Sequence, residues 1–150
     1  MGRTLPVAVL FLTSHLLSEG SQAPPPDQDP FVGKWILNGS KSLPPIKAKY
    51  SRTIAREGEY ILLSYFKKPT PYVTSRLKCN GQLYPTPEPG MTACEYSSPR
   101  SIAFTQKAPN GFLAYSNWEV STDGAEMRIF LFVDEKRKDF RAVRVLDRLK

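Results

Sequence analysis

The chain has 150 residues and a formal net charge of +7, with 41% hydrophobic and 23% charged residues. This length fits a single domain, and the apolar content excludes a largely disordered chain. Its 14 prolines leave few stretches before residue 110 that could form a helix of ordinary length. The aromatic residues occur with Val, Ile and Thr in short runs, so the composition favours an all-β protein.

The N-terminus has the pattern of a secretory signal peptide. Arg3 is followed by an apolar stretch, residues 5–17, that is too short and too interrupted to span a bilayer, and small residues come after it. We predict that residues 1–20 are a removable signal, with the cut after Gly20 or as late as Ala23; a retained anchor is the alternative. The protein is then expected to be secreted or periplasmic, with no transmembrane segment left.

Export would also decide the state of the two cysteines, Cys79 and Cys94. They lack the Cys-x-x-Cys spacing of redox and zinc sites, and an oxidising compartment favours their pairing. We predict a Cys79–Cys94 disulfide, with two free buried thiols as the alternative.

In chain order, residues 21–30 form a Pro- and Asp-rich linker, and the first strand is predicted over residues 32–38. Further β-type runs recur about every 8 to 12 residues, each closed by turn residues. They cover residues 50–57, 60–66, 72–78, 83–84, 91–96, 101–107, 112–121 and 126–133. Asn80-Gly81 and Asp123-Gly124 predict hairpins, and the three prolines in residues 85–90 predict a loop at a barrel mouth.

The last segment fits two structures. Phe140, Val143, Leu146 and Leu149 recur at a spacing of three, which suits a short amphipathic helix. Residues 141–145 alternate and are β-branched, and an antiparallel sheet needs a strand to cover its first edge. We favour a closing strand. Residues 31–150 are therefore predicted to form one antiparallel up-and-down β-barrel of about eight to ten short strands, with a β-sandwich as the alternative.

Most catalytic chemistry is missing. The only histidine, His15, lies in the predicted signal, which excludes Ser-His-Asp and Cys-His sites and histidine-ligated metals from the mature chain. No phosphate-binding or calcium-loop motif occurs. We therefore predict no enzyme, no metal and no cofactor. Glu95 and Glu119 are the only acids within predicted strands that merit attention, and carboxylate hydrolysis would require both to face one cleft.

The residues Asp29 to Asn38, followed by Lys41-Ser42, contain the pattern Gly-x-Trp-x-Leu-Asn-x-x-Lys-Ser. In this pattern, and in residues 80–85, 121–124 and 147–148, the chain resembles a group of small exported bacterial proteins that are mostly uncharacterised. The resemblance implies a lipocalin-like, calycin-type barrel. The resemblance covers nearly the whole mature chain.

Lipocalins proper carry Gly-x-Trp on the first strand and a late arginine that packs across the tryptophan. The resemblance therefore implies that Gly33 and Trp35 close the barrel together with Arg148 or Arg144. The chain departs from lipocalins in its shorter length and in lacking their Thr-Asp-Tyr element, so the resemblance supports the fold more than ligand binding.

Two functions follow from a barrel of this kind. The first is binding of a small apolar molecule in the interior, with Trp35, Phe104, Phe112 and Trp118 as the candidate lining residues. The second is a filled barrel that acts as an envelope or extracellular interaction module, using basic loops to contact an anionic surface or polysaccharide. Export disfavours nucleic acid as a partner. A barrel of about eight strands can hold one small ligand or be filled by its own side chains, so a hollow interior distinguishes the two functions.

Overall fold

The computed structural model describes residues 22–66 and 73–150. The predicted signal, residues 1–20, and the connection 67–72 lie outside the described residues. Apart from one 3₁₀ turn at Pro26–Gln28, the described secondary structure consists of strands. They are β1 (Gly33–Leu43), β2 (Ser51–Glu57), β3 (Tyr60–Phe66), β4 (Val73–Lys78), β5 (Tyr84–Pro85), β6 (Met91–Ser98), β7 (Ser101–Lys107), β8 (Leu113–Val120), β9 (Glu126–Phe132) and β10 (Phe140–Arg148).

The ten strands form one antiparallel sheet in the order β4-β3-β2-β1-β10-β9-β8-β7-β6-β5. Strand β10 lies between β1 and β9, so the prediction of a closing strand is confirmed. The two ends of the sheet approach each other where Asn80 forms a bridge with Glu95. The prediction of an all-β, up-and-down barrel is therefore confirmed, and its closure is nearly complete.

The Asn80-Gly81 pair does not form the predicted hairpin. Strands β4 and β5 lie at opposite edges of the sheet, so the chain between them crosses from one edge to the other. The Gly81 amide donates to the Cys94 carbonyl on β6, and Cys79 is bonded to Cys94 with an Sγ–Sγ distance of 2.08 Å. The predicted disulfide thus fastens the seam that the hydrogen-bonded sheet leaves open.

Removal of this disulfide is expected to destabilise the barrel. A Cys79→Ser/Cys94→Ser variant opens a loop with a sequence separation of 15 residues. It should lose about 3 kcal/mol of unfolding free energy, because the unfolded chain gains conformational entropy. Urea unfolding of the variant, the oxidised protein and the reduced protein would test this. The variant and the reduced protein should agree, and equal midpoints for all three would contradict the prediction.

The barrel has two different ends. We call the end at which connections 44–50, 86–90, 108–112 and 133–139 lie the mouth, and the opposite end the base. The base is filled by buried side chains from strands all around the barrel and from Phe31, which precedes β1. They include Phe31, Trp35, Ile54, Ile61, Leu77, Tyr96, Ile102, Met127 and Leu146.

Trp35 is fully buried in the base, and the Arg148 guanidinium lies over its ring. The two residues are opposite each other in the β1–β10 register, and the Arg148 guanidinium carbon lies 4.2 Å from the Trp35 ring centroid. Arg148 also donates to the carbonyls of Val32 and Gly124. Gly33 has a φ of 144°, and a Cβ there would lie 2.5 Å from Arg148 Nη1, so only glycine fits. Arg148, and not Arg144, is therefore the arginine beside Trp35.

The end of the predicted linker, at Asp29, lies in the base. Asp29 is fully buried and pairs with Arg56 on β2, and the amide of Phe31 donates to Asp29 over 2.9 Å. Because the Asp29 carboxylate pairs with Arg56 on the inner face of β2, this part of the segment lies against the barrel. Only its earlier part, residues 22–28, is largely exposed.

Candidate ligand-binding site

The half of the barrel nearer the mouth is hollow. It encloses a cavity of about 310 Å³, at the lower end of the range of about 300–1,000 Å³ that is usual for small-molecule sites. Apolar side chains make up much of the wall: Leu63, Leu77, Phe104, Trp118, Ile129 and Leu131. The polar lining includes Ser75, Thr92, Gln106 and Ser116, spread over four strands. The interior is therefore filled at the base and open to a ligand at the mouth.

Two of the four candidate lining residues, Phe104 and Trp118, lie in this wall. Their ring centroids are 4.3 Å apart, and the Trp118 indole N–H donates to the Ser116 hydroxyl over 3.1 Å. This hydrogen bond and the contact with Phe104 fix the orientation of the indole. Trp118 is therefore a rigid aromatic surface beside the cavity.

The other two candidates do not line the cavity. Trp35 is buried in the base, where its indole N–H donates to the Phe31 carbonyl. Phe112 has the same alternation as Ser116 and Trp118, but it precedes the first residue of β8 and is 64% exposed. The alternation predicts that Phe112 faces inward, but β8 begins only at the next residue, so Phe112 lies outside the barrel wall.

Arg52 is the main polar feature of the cavity. Alternation along β2 puts Arg52, Ile54 and Arg56 on the inner face of the barrel, because successive side chains point to opposite sides of a strand. The Arg52 guanidinium carbon lies 4.3 Å from the Trp118 ring centroid, within the range of a cation–π interaction. The cavity wall therefore carries a positive charge directly against its largest aromatic ring.

The two inner arginines of β2 differ in their partners. Arg56 pairs with Asp29 at 2.7 Å and donates to the Tyr96 hydroxyl and the Gly58 carbonyl, leaving Nε unpaired. Arg52 also has a buried Nε without a partner, and within residues 22–66 and 73–150 no carboxylate pairs with it. The cation at the base has an internal anion, whereas the cation in the cavity has none among these residues.

Burial explains the electrostatics of Arg52. Loss of solvent around the guanidinium lowers the pKa of Arg52 from its usual value. An arginine starts from so high a pKa that it remains charged, so the structure encloses a cation with incomplete compensation. Arg52 is nevertheless partly exposed and lines the cavity. An anion entering there would meet a partly desolvated donor, for which an ionic hydrogen bond is strong.

The rim of the cavity is polar and partly closed. The Tyr65 hydroxyl donates to the Glu88 carboxylate, which connects the end of β3 with the loop 86–90. This hydrogen bond is the main cause that raises the pKa of Tyr65. Arg144 also lies at the rim, where it donates to the Leu43 and Pro44 carbonyls. The predicted loop 85–90 thus lies at the mouth, with Glu88 as its carboxylate.

The acids considered for hydrolysis lie elsewhere. Glu95 and Glu119 are exposed and alternate with the inward residues Cys94, Tyr96 and Trp118, so both point to the outer face. They do not share the cavity, and the geometry required for carboxylate hydrolysis is not met. Within residues 22–66 and 73–150, no group of three His, Cys, Asp or Glu side chains could hold a metal ion. The same part of the chain contains no helix long and apolar enough to cross a membrane.

Arg52 was not among the candidates from the sequence, although a signal was present. Residues 52–56 read Arg-Thr-Ile-Ala-Arg, so two arginines share a face with an isoleucine. An apolar residue between them at this spacing puts both cations on the inner face of a half-buried strand. Arginine inside a barrel is uncommon unless it is paired, and that rarity is the signal of a site.

No family model matches the sequence. No curated protein matches it either. Among solved structures, the Schistosoma mansoni fatty acid binding protein in complex with arachidonic acid superposes with a TM-score of 0.65 and 17% identity, over 82% of this chain and 98% of that one. Echinococcus granulosus fatty-acid-binding protein 1 gives 0.62 and 13%, over 81% and 98%. The fluorescent protein UnaG gives 0.58 and 16%, over 79% and 97%.

At these identities the likeness shows the fold alone. The chain has an up-and-down β-barrel fold that it shares with these fatty-acid-binding neighbours. The more specific resemblance to small exported bacterial proteins stays a prediction.

Proposed function

We propose that this protein binds a small molecule with an apolar body and an anionic head group, such as a carboxylate, in the cavity at the mouth of the barrel. The observation that carries the proposal is Arg52: a partly buried arginine with a buried Nε, held over Trp118, that lines a cavity of mixed apolar and polar walls without a described carboxylate partner. A ligand carboxylate would supply the missing anion, and its chain would cover the apolar wall.

The fold of the neighbours supports the same class of ligand. Two of them are fatty-acid-binding proteins, one in complex with arachidonic acid. The cavity of about 310 Å³ favours a compact or medium-length ligand over a long chain. A medium-chain fatty acid such as decanoate is therefore a suitable probe.

Titration with decanoate and with decanol would test the proposal. Both have the same apolar chain, and only decanoate can form an ionic hydrogen bond with Arg52. We expect decanoate to change the fluorescence of Trp118 and to bind at least tenfold more tightly than decanol, since hydrogen bonds to charged groups contribute about 1.5–3 kcal/mol.

The control is a Trp118→Phe variant, which keeps Trp35 at the base. Its fluorescence should no longer respond to decanoate, while calorimetry should still detect binding. Saturable binding of neither compound, or equal affinity for both, would contradict the proposed anionic ligand.

The alternative of a filled barrel without a ligand has less support. In a filled barrel, inward side chains would occupy the interior along the whole barrel. Here the described side chains fill the base and leave a cavity at the mouth.

We further propose that the protein acts outside the cytoplasm. The signal-like residues 1–20 and the Cys79–Cys94 disulfide support this location, because disulfides persist in oxidising compartments. Thiol labelling of the protein taken directly from its cells would test it. A pair protected until reduction is expected, and free thiols would contradict export.

A further inference from the structure

Exposed apolar side chains are concentrated at the mouth. Within residues 22–66 and 73–150, the four most exposed large hydrophobic residues are Leu43, Phe112, Phe140 and Val133, with exposed fractions of 46–64%. All four lie at mouth ends of strands or in the connections there, on strands β1, β8, β9 and β10 or directly beside them. Because β1, β10, β9 and β8 are neighbours in the sheet, these side chains form one arc around the mouth.

The arc continues onto the outer wall of the barrel. The Phe140 ring lies 6.2 Å from that of Phe130 and 6.3 Å from that of Phe132, so three phenylalanines form a cluster beneath the rim. Contiguous exposed apolar area of this kind is uncommon on a soluble protein and marks a surface that contacts something else.

Unpaired cations surround the arc. Lys47, Lys49, Lys107, Lys136 and Lys138 are exposed in or beside the mouth connections. The ion pairs within residues 22–66 and 73–150 include none of these lysines.

The acids of the described part of the mouth are fewer than its cations, and only Asp139 among them is in an ion pair; they are Glu88, Asp134, Asp139 and the exposed, unpaired Glu135. Glu88 accepts from Tyr65, and Asp139 pairs with Arg141. The carboxylate of Asp134 accepts the amide of Lys138. The mouth surface therefore combines exposed apolar side chains with an excess of free positive charge.

We propose that the mouth surface, defined as Leu43, Phe112, Val133 and Phe140 with Lys47, Lys49, Lys107, Lys136 and Lys138, docks onto an anionic lipid bilayer. Apolar side chains enter the boundary between head groups and acyl chains, and lysines are attracted to anionic head groups, so this combination fits a bilayer surface. A neutral protein partner would not need the lysines, and a soluble polyanion would not need the phenylalanines. Docking in this orientation places the cavity opening against the lipid, so an apolar ligand could pass between them without crossing water.

Vesicle sedimentation would test the docking. The purified protein is mixed with vesicles of phosphatidylcholine alone or of phosphatidylcholine with phosphatidylglycerol, at low and high salt. We expect binding to the anionic vesicles that falls as salt increases, because screening weakens attraction between exposed charges. A Phe112→Ser/Phe140→Ser variant and a Lys136→Glu/Lys138→Glu variant should each bind at least tenfold more weakly.

The matched controls lie away from the mouth. Ile36 and Leu149 are similarly exposed, and Lys34 and Lys150 are exposed lysines near the base. An Ile36→Ser/Leu149→Ser variant and a Lys34→Glu/Lys150→Glu variant should change vesicle binding less than twofold. All four variants alter exposed side chains, so an unchanged thermal transition should verify folding.

Four results would overturn the docking proposal: no binding to anionic vesicles, equal binding to neutral and anionic vesicles, equal losses in mouth and base variants, or a dimer in solution that the Phe112→Ser/Phe140→Ser variant dissociates. The last result would make the surface an interface between two copies of the chain. Decanoate titration of the same variants separates this proposal from ligand binding, since none of them alters Arg52 or Trp118.

Discussion

An Arg52→Met variant is expected to bind decanoate about 10- to 100-fold more weakly than the wild-type protein. The loss follows from the ionic hydrogen bonds between the carboxylate and the guanidinium, which contribute about 1.5–3 kcal/mol. Methionine keeps a flexible apolar chain against Trp118, so the wall of the cavity remains covered. Calorimetric titration of both proteins would measure the difference.

The same substitution should stabilise the protein without ligand, by about 1 kcal/mol. Arg52 has a buried Nε without a partner and no described carboxylate beside it, so folding transfers its charge from water at a net cost. The cation–π contact with Trp118 offsets part of that cost, as does the partial exposure of Arg52. A gain in stability together with a loss of binding is typical of a residue retained for function.

Two controls make the result specific. Decanol should bind both proteins with affinities within a factor of about three, because it has no charge for Arg52 to pair with. An Arg52→Lys variant should recover part of the affinity for decanoate, since it keeps the charge but loses the planar fork. If Arg52→Met destabilised the protein and left decanoate affinity unchanged, Arg52 would be a structural residue and the proposed site would be wrong.

The sequence was sufficient to predict the barrel because the fold depends on local patterns. Turn residues separate the β-type runs, and their alternation identifies the inner face of most strands. The closing strand was also predictable, since residues 141–145 alternate and an open edge would have remained without it. The Asn80-Gly81 hairpin failed for a non-local reason: its two flanking strands belong to opposite edges of the sheet.

The site was harder to predict because no pattern in the sequence shows how far along the barrel axis an inward side chain lies. Trp35 and Trp118 both face inward, but Trp35 fills the base and Trp118 borders the cavity. Whether the interior is hollow depends on the summed volumes of inward side chains from ten strands. Arg52 has the same difficulty, because alternation predicts its face, while only the folded chain shows that Asp29 reaches Arg56 and not Arg52.

An Asp29→Asn variant is expected to lose about 3–5 kcal/mol of unfolding free energy. The side chains of Asp29 and Arg56 are 0% and 7% exposed, so the substitution leaves a buried guanidinium without its anion. The Asp29 carboxylate also accepts hydrogen bonds from the Phe31 amide and the Tyr96 hydroxyl. Burial, and then the hydrogen bond with Asp29, raise the pKa of the Tyr96 phenol, so Tyr96 remains a donor. Urea unfolding would measure the loss.

Arg56→Met provides the comparison with Arg52. Because Arg56 is paired, its removal should destabilise the protein by leaving Asp29 as an unpaired buried anion, whereas Arg52→Met should stabilise it. An Asp29→Asn/Arg56→Met variant should recover part of the loss, since no buried charge is then unpaired. The folded Asp29→Asn protein should bind decanoate with wild-type affinity, because its effect is confined to the base. Two results would contradict the distinction between a structural arginine, Arg56, and a ligand-binding arginine, Arg52. One is a loss of less than about 0.5 kcal/mol of unfolding free energy in Asp29→Asn. The other is a change of stability in the same direction in both arginine variants.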